Sequence, residues 1–306
     1  MTTCPESQAA AVESSMRRAA MLKRARDFFE SREILEVDTP ILARHAVSDP
    51  HIDSIEASLQ LDPGRKWFLQ TSPEYCMKRL LSADYPDIYE ICKVFRDGEN
   101  GRNHQPEFTM VEWYRLEFGL DDIMQDTVEF ILSLVDTNRF DEPAVFLNYQ
   151  QAFSDFAGID CTTIDNEALD LALVEKVSPR FPSDRLTVLH HYPASQAALA
   201  RICPDDDAVA DRFEVFAGTL ELANGYVELT DIKEQMARFG NDQATRDASG
   251  KLRVAIDDAF VAALERGLPA CAGVAVGFDR IHMLNEGASD IRQVLNFPFD
   301  TRKEND

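Results

Sequence analysis

No apolar run in the chain approaches the length needed to cross a bilayer, so no membrane partner is expected. Nor is there a basic start followed by an apolar segment. Residues 1–15 are polar and carry Glu6 and Glu13, so they are not expected to act as a signal peptide. Residues 1–13 read as a disordered or frayed tail before the first helix. The six cysteines, Cys4, Cys76, Cys92, Cys161, Cys203 and Cys271, are scattered, with no C-x-x-C pair and no metal-ligand spacing to the histidines. Reduced thiols in a cytoplasmic protein are the expectation. A basic run is also lacking. Asp and Glu number 54 against 31 Lys and Arg, a net charge of −23. A nucleic-acid backbone is gripped by cations that replace condensed counterions, so tight binding of tRNA by this chain is not expected. An acidic surface also serves solubility alone. Internal repeats, low-complexity tracts and Gly/Ser linkers are absent as well.

What remains is a globular balance: 306 residues, 45% hydrophobic and 28% charged, enough for a sizeable core. Helical spacing of Met21, Leu22, Ala25, Phe28 and Phe29 predicts a helix over 14–32. An extended stretch, Leu35 to Pro40, is closed by proline. Residues 52–60 and 66–70 alternate as strands. Ser72-Pro73-Glu74 opens a helix reaching Leu81, with a cap, a proline in the first turn and an early acid. Strands are expected at 88–95 and 108–114, then helices at about 120–136, 148–157 and 166–177 and a strand at 187–191. Residues 212–216, 219–222 and 226–229 read as three strand stretches separated by Gly218 and Gly225. Helices at 231–239 and 257–266, a strand at 272–276 and a helix from Gly277 to Asn285 complete the chain. Helices interleave with antiparallel strand signals without βαβ alternation, which makes the class α+β, an antiparallel sheet flanked by helices.

Three segments carry chemistry. The first, Val94 to Thr109, is a charged loop between two strands. Arg96 at a strand end offers a fork of donors to a phosphate or carboxylate, and Arg102 and His104 follow within reach of outer phosphates. A solvated hairpin with weak surface ion pairs is the plain alternative. The second, Gly273 to Arg280, is a strand of small residues whose Gly277 marks the junction with a helix. A flat ligand can lie against such backbone, and Arg280 projects a cation to the same place. Asp279 beside it could instead pair with Arg280 structurally. The third, Phe213 to Asp231, places Glu214, Glu221 and Glu228 on strand-like stretches. Such acids suit Mg²⁺ bridging phosphates, recognition of an ammonium group, or simply a wet sheet face.

In this order the three segments resemble motif 2, motif 3 and the intervening acidic strands of class II aminoacyl-tRNA synthetases, and Leu35 to Pro40 resembles motif 1. The lysyl branch is the best match. Residues 71–81, Thr-Ser-Pro-Glu-Tyr-Cys-Met-Lys-Arg-Leu-Leu, resemble its amino-acid-binding segment, and 106–114 its strand after motif 2. Within that branch, residues 192–200, the run Glu221-Leu222-Ala223-Asn224-Gly225 and Ala275 resemble the elongation factor P β-lysine ligases. These are synthetase paralogues that attach (R)-β-lysine to a lysine of the factor. The resemblance spans about residues 14–300.

The resemblance implies a single catalytic domain, 14–306, without an anticodon-binding domain, working as a homodimer. ATP is the co-substrate and Mg²⁺ the cofactor. Arg96 and Arg280 are the implied catalytic residues. ATP is held by Arg96, Asp97, Gly98, Glu99, Arg102, His104, Gln105, Glu221, Leu222, Gly277 and Arg280, and Mg²⁺ by Glu214 and Glu221. The amino acid is held by Ser72, Pro73, Glu74, Glu112, Tyr114, Asn224, Glu228 and Ala275. β-Lysine or lysine is activated as an adenylate and passed to elongation factor P. A tRNA-charging enzyme and a non-catalytic amino-acid-binding paralogue are the alternatives. One departure stands out: lysyl synthetases have an acid two residues after the motif 2 arginine, where this chain has Gly98 and then Glu99. Either Glu99 takes the role or the adenine contact is backbone only.

Overall fold

The computed structural model describes residues 5–136 and 138–299. In chain order the regular elements are α1 (Pro5–Glu30), β1 (Leu35–Glu36), β2 (Leu42–Ala43), β3 (Glu56–Ser58), β4 (Lys66–Leu69), α2 (Glu74–Leu81), β5 (Ile88–Phe95) and β6 (Glu107–Leu116). They continue as α3 (Leu120–Leu134), β7 (Val145–Asn148), α4 (Tyr149–Ala157), α5 (Asn166–Ala172), β8 (Leu186–Pro193), β9 (Val209–Ala217) and β10 (Leu220–Val227). Last come α6 (Ile232–Ala248), α7 (Asp258–Arg266), β11 (Cys271–Gly277) and α8 (Phe278–Asn285). Eight strands form one sheet in the order β1-β5-β6-β11-β10-β9-β8-β7. The six inner strands are antiparallel. Only the edge pairs, β1 with β5 and β7 with β8, are parallel. A three-stranded sheet, β2-β4-β3, lies apart from it. The α+β class with a helix-flanked antiparallel sheet holds.

Strand alternation explains how the sheet makes both a core and a site. On β6, Val111 and Trp113 point into the main core. Tyr114 belongs to a different cluster, with Met77, Phe239 and Phe260 of α2, α6 and α7. On β11, Ala272, Val274 and Val276 face the main core, while Gly273, Ala275 and Gly277 line a cavity. Under the core face, α1 and α3 supply the aromatic mass. Phe29 stacks on Tyr89 at 4.1 Å and meets Trp113 at 5.3 Å. The Trp113 indole donates to Asp126 Oδ2 at 3.0 Å, so its one polar atom is satisfied in the core.

Several boundaries differ from expectation. α1 begins at Pro5 and takes in most of the segment read as a frayed tail; residues 1–4 and 300–306 lie outside the described residues. α6 runs through Gly240 to Ala248, because Phe239, Gln243 and Arg246 bury one continuous helical face. The most consequential difference is Gly225. It does not break the strand: β10 is continuous from Leu220 to Val227. A Cβ at Gly225 would come within 2.7 Å of the Phe213 ring and 2.8 Å of Gly273 O, so glycine is required by close packing, not by a turn. Gly218, at φ +57°, is the real turn between β9 and β10. Glu214 therefore sits on β9, Glu221 on β10 and Glu228 just past the end of β10, not on three separate stretches.

Candidate active site

Two rows of side chains run across the sheet, and all but their β9 members line the cavity. The first is Glu112 on β6, Ala275 on β11, Asn224 on β10 and Glu214 on β9, each paired with the next. The second is Tyr114, Gly273, Tyr226 and Arg212 on the same four strands. Small residues on β11 leave room between the larger side chains. A Cβ on Gly273 would meet the Tyr114 ring at 2.4 Å and Glu228 Oε1 at 2.7 Å. Glu221 and Glu228 are seven residues apart, which in a regular strand puts them on opposite faces. The register shift between Glu221 and Ala223 changes that parity, and both line the cavity.

The cavity holds about 290 Å³ and has two chemically distinct ends. At one end are cations. Arg280, in the first turn of α8, donates to Glu221 O at 2.8 Å, to Glu221 Oε2 at 3.2 Å and to Asn103 O at 3.3 Å. Its Nη2 lies 2.7 Å from His104 Nε2. Burial, then the adjacent Arg280 guanidinium, lowers the His104 pKa and keeps the ring neutral, so Nε2 is the acceptor. Asp279 does not pair with Arg280. It is bound by Arg18 of α1 and by Thr109 N at 2.7 Å, which leaves Arg280 facing the cavity. Arg96 is loosely held, 3.5 Å from Thr71 O and 3.6 Å from Glu99, with its guanidinium 5.3 Å from the centre of the Phe108 ring. Its donors remain available to an anion.

At the other end are acids. Glu112 accepts from Ser72 Oγ at 2.8 Å and from Tyr114 OH at 2.6 Å. Burial, then the charge of Glu74, pushes its carboxyl up to about 8. Burial also pushes Glu228 up to about 8, against the pull of Lys78. Glu74 accepts from Tyr226 OH at 2.7 Å and from Lys78 Nζ at 2.6 Å. Lys78 Nζ is 2.5 Å from Glu228 Oε2, an ion pair by distance. Its angle leaves both Glu228 oxygens without a directed hydrogen-bond donor.

Most of the expected residues converge here. Ser72, Glu74, Arg96, Glu99, His104, Gln105, Glu112, Tyr114, Glu221, Leu222, Asn224, Glu228, Ala275, Gly277 and Arg280 all line the cavity. Pro73, Asp97, Gly98, Arg102 and Glu214 do not. Asp97 lines a second cavity with Arg44, Trp67 and Arg253. Arg102 is exposed and donates to Ser289 O at 3.4 Å. Gln105 spends its amide on its surroundings, donating to Asn100 and accepting from Phe299 N. Glu214 takes a 2.7 Å bond from Arg212, and burial pushes it up to about 7. The missing motif 2 acid has a backbone cause. Gly98 has φ +77°, where an acidic side chain is strained, while Glu99 faces the cavity. Lys78 and Tyr226, which both hold Glu74, were not among the expected residues; the i, i+4 spacing of Glu74 and Lys78 on one helix was the available signal.

One cluster that spacing did not reveal joins His191, Cys203 and Asp211, whose ligand atoms lie within 4.8 Å of one another. Asp211 already accepts two bonds from Arg201, and His191 Nδ1 abuts His190 Nδ1, so two of the three have internal partners.

An antiparallel sheet carrying a cavity with two arginines at one end and buried acids at the other suits an anionic ligand group beside a cationic one. The chain matches the tRNA synthetases class II (D, K and N) over residues 8–301 and belongs to that family. It is similar to proteins named elongation factor P–(R)-β-lysine ligase. The identity is 41% to that of Vibrio parahaemolyticus serotype O3:K6, over 95% of this chain and 97% of the relative. It is 39% to that of Proteus mirabilis (94% and 96%) and 38% to that of Klebsiella pneumoniae strain 342 (95% and 96%).

Proposed function

We propose that the chain is an ATP-dependent ligase that activates (R)-β-lysine, or lysine, as an aminoacyl-adenylate and transfers it to a lysine side chain of elongation factor P. The observation that carries this reading is a single cavity with Arg96 and Arg280 at one end and the buried carboxyls of Glu112 and Glu228 at the other. A buried acid facing a cavity is costly unless a cation reaches it, and an ammonium group supplies that cation. The substrate carboxylate is then directed towards Arg96. There it attacks the α-phosphate of ATP, forming the mixed anhydride and releasing pyrophosphate. Arg96 and Arg280 stabilise the charge that develops on the phosphoryl oxygens. Gly277 has no neighbour closer than 3.4 Å to a would-be Cβ, so its bare backbone is open to the nucleoside. A lysine ε-amine of the acceptor then attacks the anhydride carbonyl and expels AMP. Ser72 and Glu74 meet the amino group nearer the carboxylate. Tyr114, Glu112 and Glu228 meet the distal one, and Asn224 the carboxylate region.

Glu221 and Glu214 offer the hard oxygen donors that Mg²⁺ prefers. Glu221 is the better placed, lining the cavity beside Arg280; Glu214 stands behind it, on Arg212. Bound there, the ion would supply charge neutralisation at the phosphates. We further read 14–306 as one catalytic domain acting as a cytoplasmic homodimer. Leu35 and Ile41, 45% and 42% exposed, are apolar residues at the motif 1 edge that a second copy would cover. Among the described residues no helix is long and apolar enough to cross a membrane. Incubating the protein with ATP, labelled β-lysine, elongation factor P and tRNA together tests the reading. Label on the factor with unlabelled tRNA is expected; labelled tRNA and an unlabelled factor overturn it.

A further inference from the structure

Lys78 has no part in the mechanism above and does not line the cavity, yet it is buried against two acids that do, Glu74 and Glu228. Its side chain is 1% exposed. A lysine this deep persists only when paired. It pairs with acids from two different walls: Glu74, one turn earlier on α2, and Glu228, beyond the end of β10. Glu112, the third acid, is held by the neutral groups Ser72 and Tyr114. With all three acids ionised, as ammonium groups in the pocket would make them, three carboxylates and one ammonium leave a net charge of minus two.

Resting on the reading of this end as the seat of the substrate's amino groups, we propose that Lys78 is a positioning and specificity residue. It cancels one of three pocket carboxylates and leaves the two negative charges that match a substrate carrying two ammonium groups. It also orients Glu228: with Lys78 drawn to Oε2, Oε1 is left buried and without a donor, beside the gap that Gly273 keeps open. The groups that act on Lys78 are Glu74 and Tyr75 of α2, Glu112 of β6, Tyr226 of β10, Glu228 just beyond it, and Cys271 of β11. Burial alone would lower the Lys78 pKa; Glu228 and Glu74 outweigh it, and the ammonium stays charged.

Lys78→Met preserves the length of the side chain and removes the charge. Calorimetric titration with ATP, lysine and norleucine, which lacks the distal amine, is run across pH with a melting curve beside it. The methionine variant is expected to melt cooperatively and bind ATP normally. Its affinity for lysine should fall about ten- to hundredfold at neutral pH. The acid limb of lysine binding should move to higher pH, because carboxyls that lose a cationic neighbour ionise less readily. Norleucine binding should change less, and Lys78→Arg should restore most of the affinity for lysine. Unchanged lysine affinity and pH profile in a folded methionine variant overturns the proposal, as does an arginine variant no better than methionine. Should the methionine variant not fold, the native protein decides. In buffers of differing ionisation heat, lysine should release about one more proton than norleucine, since each ammonium displaces a carboxyl proton; equal release overturns the charge match. Absence of lysine binding by the native protein would instead sink the functional reading itself.

Discussion

At the cationic end of the cavity, Arg96 and Arg280 keep 24% and 18% of their side-chain surface and are held mainly by long bonds and backbone carbonyls. At the acidic end, Glu112, Glu228 and Lys78 are 3% exposed or less and bound to one another's neighbours at 2.5–2.8 Å. The first end must accept a polyanion that brings its own solvation and metal, and donors left partly free can close on it. The second must distinguish one small side chain from others. A dry arrangement in which Glu228 still lacks a directed donor leaves a costly unpaired group whenever the wrong ligand enters.

Charge removal at each end tests this contrast. The largest effect is expected at Arg280→Ala. Its guanidinium faces the cavity free of Asp279, so adenylate formation should fall about 10²–10³-fold with the fold intact. Near-normal pyrophosphate exchange in the variant would remove Arg280 from the chemistry. Glu228→Gln should cost about one to two decades in affinity for β-lysine, about 1.5–3 kcal/mol, with ATP binding almost unchanged. Equal weakening of both ligands, read by calorimetry, would make Glu228 a scaffold residue and erase the distinction between the ends.

The pH dependence of lysine binding should follow from the acidic end. Glu112 and Glu228, both near 8, bind protons better folded than unfolded. They stabilise the free protein below the ordinary carboxylate range, and that contribution is lost as pH rises towards about 8. Melting of the unliganded protein should therefore decline through this window, while lysine binding strengthens through it as the acids ionise. A lysine affinity flat across the window would contradict the assignment. The smallest effect is expected at Gly98→Ala. The left-handed backbone there costs a side chain about 1–2 kcal/mol, felt in melting and in a modest loss of ATP affinity but not in lysine binding.

The two ends also differed in how far they could be read from residues alone. Arg96 and Glu228 stand just past strand ends, Arg280 follows the Gly277 junction and Glu112 lies within β6, all in motif order, which is what made them legible in the sequence. Lys78 was hidden because a lysine on a helix normally reads as a solvated face. Gly225 was read as a break because glycine usually weakens strands, whereas the Phe213 ring fills the missing side chain's place. Glu214 and Arg102 lie in the right segments but outside the cavity, since strand neighbours and loop direction, not spacing, decide where side chains end. β7 was unread because its four residues, Val145–Asn148, alternate too briefly to signal a strand.

The central claim is that a diamino acid is activated in this cavity through its carboxylate. ATP–pyrophosphate exchange by the native protein measures that step directly, with β-lysine, lysine and norleucine compared at equal concentration. Exchange supported by β-lysine or lysine, and at least about tenfold weaker with norleucine, is the predicted result. No exchange with any lysine isomer would contradict the account and leave an amino-acid-binding protein without catalysis.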